Sequence, residues 1–418
     1  MDGSETGLYL MHLIAGALAG HGGGDGRDLA ADDWHRVHAL ASRHAVEAIA
    51  WAGVTGEPEL EAQVPQDLRA RWAREADATL VRQLTFEAER EEIASRLAEH
   101  GISTAALKGA VLARRYPAPG LRSMGDNDVL FAVLERRADG RWQPQGAGDS
   151  HAHAMDRAYD EAATHIDAVM ADLGYERRPT SPMETDLQYL RAPFHFELHR
   201  DLLSPRSPVY PYLKDPWPAM VPDGDVPGTF HMTLADEYVF HIVHMHKHFT
   251  SAGCGIRFLV DEAVYLRLFA DLPERQAVAD HIRERLATMG LTGFEATVRS
   301  LATALLGERD EGRDGAPLPD REREMFLTLL RSGTFGTLEQ QVANARRRTG
   351  GTGALGTLRY VASRLYPGSK QIRAVHPLFD RHPWLLPLFP FMRLGSVIRN
   401  HPRKLLAELR LVFGRGRG

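Results

Sequence analysis

Two aspartates one residue apart, Asp126 and Asp128, open an apolar run in "GDNDVLFAVL". This pattern constrains the chain more than any other. Side chains alternate along a strand, so the two carboxylates share a face about 7 Å apart. Like charges that close resist burial, and a strand start in a globular core requires something positive between them. A divalent cation with oxygen ligands meets that need, and Mg²⁺ commonly shares such carboxylates with substrate phosphates. Upstream, "ISTAAL" (102–107) reads as a short strand, and Lys108-Gly109 opens a helix to about Arg115, ended by Pro117 and Pro119. A helix start with small residues is a natural phosphate cradle. Lysine is rare here: Lys108, Lys214, Lys247, Lys370 and Lys404 are all there are. A lysine at such a position is therefore less apt to be a casual surface charge.

A third carboxylate would complete a two-metal site, and Glu197 in "FHFELHRD" is the candidate. We expect Phe194, Phe196 and Leu198 on one side of that strand, with a bulge at Leu198, and His195, Glu197 and His199 on the other. The alternative is a half-exposed strand with ordinary charges. "DLQYLR" (186–191) supplies its strand partner. Residues 8–100 read as helices, as do Asp236–Phe249, Arg257–Ala270 and most of the chain beyond, with loops at 307–324 and 347–357 and a proline-rich corner at 377–390.

The stretch Leu107–Phe131 contains an LKG, a Tyr-Pro, a Leu-Arg and a Gly-Asp-x-Asp followed by apolar residues. In that order it resembles the uncharacterised nucleotidyltransferase family of the DNA-polymerase-β-like superfamily. "FELHRDL" is similar to that family's third-carboxylate strand. "HMHKHF" and "GIRFLVDEAVYL" are similar to its downstream helices. The resemblance spans most of residues 35–400, with Leu107–Phe131 its specific part. It implies an α+β fold: a polymerase-β-like core, a small mixed sheet with flanking helices, between N-terminal and C-terminal helical regions. We place these at 1–100, 101–230 (with 136–152 a flexible insertion) and 231–418, the last with a basic tail. It also implies metal-dependent transfer of a nucleoside monophosphate from an NTP, ATP among them, to a hydroxyl-bearing small molecule or protein, with pyrophosphate release. Asp126, Asp128 and Glu197 would then be catalytic and bind Mg²⁺ or Mn²⁺. Gly109 and its helix would hold the triphosphate, and Lys108 and Arg122 would contact phosphates. Two positions depart from the superfamily pattern: Ala110 stands at the second small position, and Asn127, where an apolar residue is usual, should point to the core. A non-catalytic nucleotide-binding scaffold that keeps the fold is the rival reading.

His241, His244 and His248 lie at i, i+3 and i+7 of one helix, with Lys247 beside them. They can be packing histidines, a zinc pair at i, i+4, or an anion-facing wall in which Lys247 and His248 meet phosphate; Lys247 is a poor neighbour for a cation. Arg257 and Asp261 are spaced for an ion pair within a helix. A net charge of -5 gives no global pull toward nucleic acid. The lone Cys254 forbids an internal disulfide and fits a reducing, cytoplasmic setting. "LYLMHLIAGALAG" follows a segment without Lys or Arg, unlike a secretory signal. No apolar run approaches the roughly 20 residues that span a bilayer. From Phe391 onward seven basic residues face Glu408 alone. That end reads as a docked amphipathic helix with a frayed tail, the alternative being weak membrane-surface contact.

Overall fold

The computed structural model describes residues 1–147, 154–179, 186–224, 226–307, 317–334, 336–348, 354–369, 372–373, 376–400 and 402–413. It is a mixed α+β fold. Its residues cluster into two units, Met1–His244 with Ile256–Leu327, and Met245–Gly255 with Thr328–Gly418.

The first unit begins with α1 (Gly3–Ala19), α2 (Ala31–Arg43), α3 (Glu47–Thr55), α4 (Pro58–Gln63) and α5 (Gln66–Glu99). Asp2 and Glu5 close α1 with a reciprocal capping box. The apolar stretch of α1 is a core helix, with Tyr9, Leu10, Leu13 and Ile14 fully buried. It packs on α3 at Gly53, where a Cβ would lie 2.0 Å from the Leu13 carbonyl oxygen.

Eight strands follow: β1 (Ile102–Ala106), β2 (Asn127–Arg136), β3 (Trp142–Pro144), β4 (Glu176–Arg178), β5 (Leu187–Arg191), β6 (Phe194–His199), β7 (Val221–Pro222) and β8 (Thr229–His231). Their order across the sheet is β4-β5-β6-β2-β1-β8-β7, with β3 paired to β2. Between β1 and β2 runs α6 (Gly109–Leu112), continued by a 3₁₀ turn at Ala113–Arg115; α7 (Ala154–Asp172) packs on α5 and β2. The decisive pairing is β2 with β6, which is parallel and sets Asp128 opposite Glu197 and Asn127 opposite Phe196. Pairing on both sides of β6 is continuous, so Leu198 needs no bulge. Residues 194, 196 and 198 share one face by simple alternation, which corrects the expected bulge.

Within the 136–152 segment expected to be a flexible insertion, Trp142–Pro144 forms β3, and 148–152 lie outside the described residues. An aromatic contact accompanies the pairing. Trp142 meets the Phe230 ring edge-on at 5.5 Å and lies 4.9 Å beneath the Arg136 guanidinium.

The remaining helices are α8 (Tyr210–Leu213), α9 (Leu234–Phe249), α10 (Arg257–Ala270), α11 (Arg275–Thr288), α12 (Thr292–Leu306), α13 (Asp320–Ser332), α14 (Leu338–Arg348) and α15 (Ala354–Leu365), then Pro377–Arg381, Phe389–Asn400 and Pro402–Phe413. The expected loops contain 308–316 and 349–353, which lie outside the described residues. In the second unit the last helix docks as expected. Leu411 packs on Val342 and Tyr360, and Glu408 accepts hydrogen bonds from Tyr360 Oη and from Arg364 Nε at 2.8 Å. The tail, 414–418, lies outside the described residues.

Candidate active site

The site grows from the turn between β1 and α6. The Leu107 amide donates to the Asp128 carbonyl at 2.9 Å, which fixes the end of β1 beside the head of β2. Lys108 then takes φ +53°, ψ −124°. A positive φ is costly outside glycine, by about 1–3 kcal/mol, and such strain collects where a side chain must be aimed. Gly109 follows because nothing larger fits: a Cβ there would lie 2.3 Å from Arg122 Nη1.

Lys108 reaches back to the acidic strand, its Nζ 2.6 Å from Asp128 Oδ1. His199 donates from Nε2 to the same oxygen at 2.7 Å and from Nδ1 to Asp186 at 2.8 Å. Asp126 sits in the loop just before β2, exposed, with no hydrogen bond or ion pair among the described residues. Two sets of ligand atoms come within 4.8 Å of one another: Asp126 with His195 and Glu197, and Asp128 with Glu197 and His199. Glu197 belongs to both.

The electrostatics are uneven. Burial opposes charge on Asp128, but Lys108 and His199 outweigh it and hold the carboxyl well below the usual range. Burial likewise works against His199, yet its hydrogen bonds to Asp128 and Asp186 raise it to about 9, so it is cationic at neutral pH. Lys108 is raised because Asp128 overcomes its desolvation. Asp126 and Glu197 move the other way: lost hydration, then the charge of Asp128, raises both. Lys108 and His199 bond Asp128 directly, and His199 Nε2 also lies 3.8 Å from Glu197, while Asp126 has no ion pair among the described residues.

Asn127 does point to the opposite face. It is fully buried, and its Oδ1 accepts from Arg90 Nη1 at 2.8 Å, while Nδ2 has no partner. A cavity of about 330 Å³ opens on that face, lined by Arg90, Val129, Phe196 and Leu198, so the sheet separates it from the carboxylates. Arg90→Met should leave Asn127 wholly unsatisfied and cost about 1–3 kcal/mol. Urea unfolding would measure that loss, and the double variant Arg90→Met/Asn127→Leu should recover most of it.

Arg122, expected at phosphate, is buried and gives Nε and Nη2 to Asp261, each at 2.8 Å. Tyr116 Oη donates to the same carboxylate at 2.7 Å. Asp261 thus takes Arg122 where the helical spacing suggested Arg257, and Arg257 Nη1 donates instead to the Ser123 carbonyl at 3.3 Å. The pair clamps the 116–123 loop to α10. His241 packs between the Phe258 and Tyr265 rings, and His244 lies against Phe240 and Phe258. Neither belongs to a metal-capable group among the described residues. Lys247 and His248 occupy the last turn of α9, which belongs to the second unit, whereas the acidic site is built wholly from the first. The sequence reading gave no role to His195 or His199, although alternation with Glu197 put both on the acidic face.

The uncharacterised nucleotidyltransferase family matches residues 30–138 and 158–307, more than half of the chain. The chain belongs to this family. Nucleotidyl transfer is therefore its general chemistry, with an NTP as substrate. No curated protein and no solved structure matches the chain. The nucleotidyltransferase match contains Lys108, Gly109, Asp126, Asp128 and Glu197, and stops before α13, so the last helices lie outside the family's span.

Proposed function

We propose that this nucleotidyltransferase moves a nucleoside monophosphate from an NTP to a hydroxyl on a small molecule or protein, releasing pyrophosphate, and that β1, α6, β2 and β6 form a polymerase-β-like catalytic core. The observation that carries the reading is the β2–β6 register, which sets Glu197 opposite Asp128, with Asp126, in the loop just before β2, within ligand reach of Glu197. The donor set fits a hard divalent cation, Mg²⁺ or Mn²⁺. It is rich in carboxylate oxygen, two groups share Glu197, and the cations beside Asp126 and Glu197 still leave both carboxyls raised. Asp126, Asp128 and Glu197 would hold it. Bound there, the cation supplies charge neutralisation for the triphosphate and acidifies the acceptor hydroxyl.

The chain's own residues do the rest. The Gly109 turn, clear of side chain, lets backbone amides approach the phosphates. Lys108 offers its ammonium beside Asp128, where phosphate charge would arrive. Arg122, locked on Asp261 under Gly109, holds the shape of that turn. Glu197 accepts the proton as the acceptor oxygen bonds to the α-phosphorus. The α–β phosphoanhydride bond then breaks, and its electron pair leaves on pyrophosphate. Asn127 does not favour the scaffold reading, because its side chain lies across the sheet from the carboxylates, held by Arg90.

Titration calorimetry with an NTP and Mg²⁺ tests the site. Asp126→Ala or Asp128→Ala should abolish metal-dependent NTP binding while circular dichroism stays unchanged. Wild-type affinity in both variants would place the metal elsewhere.

A further inference from the structure

The second unit carries an exposed apolar surface beyond the span of the family match. In the stretch 383–400, Leu386 and Phe389 turn inward and pack with Ile372 and Phe379. Those contacts anchor the segment, and beyond Phe389 no residue of the helix Phe389–Asn400 is buried. What remains outside is strongly apolar. Trp384 is 74% exposed and Phe391 73%, and Leu388, Met392, Leu394 and Ile398 are exposed with them. Phe391, Leu394 and Ile398 fall at i, i+3 and i+7, so they form one stripe along the helix. Single exposed apolar side chains are ordinary; six within fifteen residues are not.

Charge indicates what covers this stripe. Across 377–413 there are six basic residues and two acidic ones, Asp380 and Glu408. Glu408 is already engaged by Tyr360 and Arg364. Arg399 is exposed on the same helix, and Arg381, Arg403 and Arg410 are exposed on the helices that precede and follow it in the chain. A second copy docking through the same face would bring like charges together. An anionic bilayer surface would instead meet both features: arginines at the headgroups, and Trp and Phe in the interface just below. No described helix is long and apolar enough to cross a membrane, so this geometry lies on a surface rather than spanning it.

We infer that the exposed apolar segment bearing Trp384, Leu388, Phe391, Leu394 and Ile398 docks this protein on an anionic lipid surface. This stands independently of the nucleotidyl-transfer site.

Co-sedimentation of the full chain with extruded vesicles tests it. Vesicles of mixed phosphatidylglycerol and phosphatidylcholine should bind the protein at least about tenfold better than phosphatidylcholine alone, with the preference falling at high salt. Trp384→Ser/Phe391→Ser should lower binding to the anionic vesicles by about tenfold or more while circular dichroism is unchanged. Arg399→Glu/Arg403→Glu should remove the preference for anionic lipid. The proposal fails if wild type does not pellet with anionic vesicles, or if both variants pellet like wild type. It also fails if light scattering shows a dimer that Trp384→Ser/Phe391→Ser dissolves while vesicles have no effect, for the stripe would then join two copies.

Discussion

Asp261→Ala should cost about 3–5 kcal/mol of folding stability, the usual scale for removing one partner of a buried ion pair. Asp261 is 2% exposed and accepts both Arg122 bonds and the Tyr116 hydroxyl. Its loss strands the Arg122 guanidinium, itself 8% exposed, beside half-buried Arg257. Nothing else described nearby replaces the carboxylate. Urea unfolding with an unchanged slope would register the loss as a shifted midpoint. Asp261→Asn keeps an acceptor and should lose less. The same carboxyl predicts a pH dependence. Burial opposes its charge, but Arg122 holds its folded pKa below the ordinary value. Its contribution is therefore present above the unfolded pKa of about 4 and lost as pH falls below it. The Asp261→Ala variant should lack that part of the acid sensitivity. A variant as stable as wild type would mean that the loop carrying Arg122 relaxes freely, and the Gly109 turn with it.

Glu197→Gln should separate binding from turnover. In the proposed site Asp126 and Asp128 meet the metal that accompanies the triphosphate, and Glu197 faces the acceptor from the neighbouring strand. Gln keeps the volume and one oxygen but cannot take a proton. NTP affinity should stay within about tenfold, roughly 1.4 kcal/mol. Turnover should fall about a hundredfold or more, near 2.7 kcal/mol of transition-state stabilisation. Single-turnover measurements with labelled NTP, read as pyrophosphate or self-labelling, need no identified acceptor. If Glu197→Gln turns over like wild type, the proton goes elsewhere. Asp186, already bonded to His199, is then the next carboxylate to test; Glu184 lies outside the described residues.

What the sequence made legible follows the range of the rules that read it. Strand alternation put Asp128 on one face and Asn127 on the other, because alternation is local, but the strand starts at Asn127 and leaves Asp126 in the loop before it. The same rule placed His195 and His199 beside Glu197, but their bonding depends on partners in other strands. The Asp128–Glu197 register joins segments about seventy residues apart, and no spacing encodes such a pairing. The i, i+4 rule paired Arg257 with Asp261. A loop arginine more than a hundred residues away holds that carboxylate instead, because burial selects the partner that fits in two places. Glycine and polar residues made 136–152 look unstructured, while Trp142, with the strand ladder around it, folds part of it back onto β2 and β8.

Pyrophosphate release by wild type is the most direct test of the catalytic reading. With each of the four common NTPs and either Mg²⁺ or Mn²⁺, at least one pairing should give steady release that a chelator stops and Asp128→Ala lacks. Nucleotide binding without pyrophosphate release under every pairing, in protein shown to be folded, would contradict it and leave the acidic face of β2 and β6 as a binding surface only.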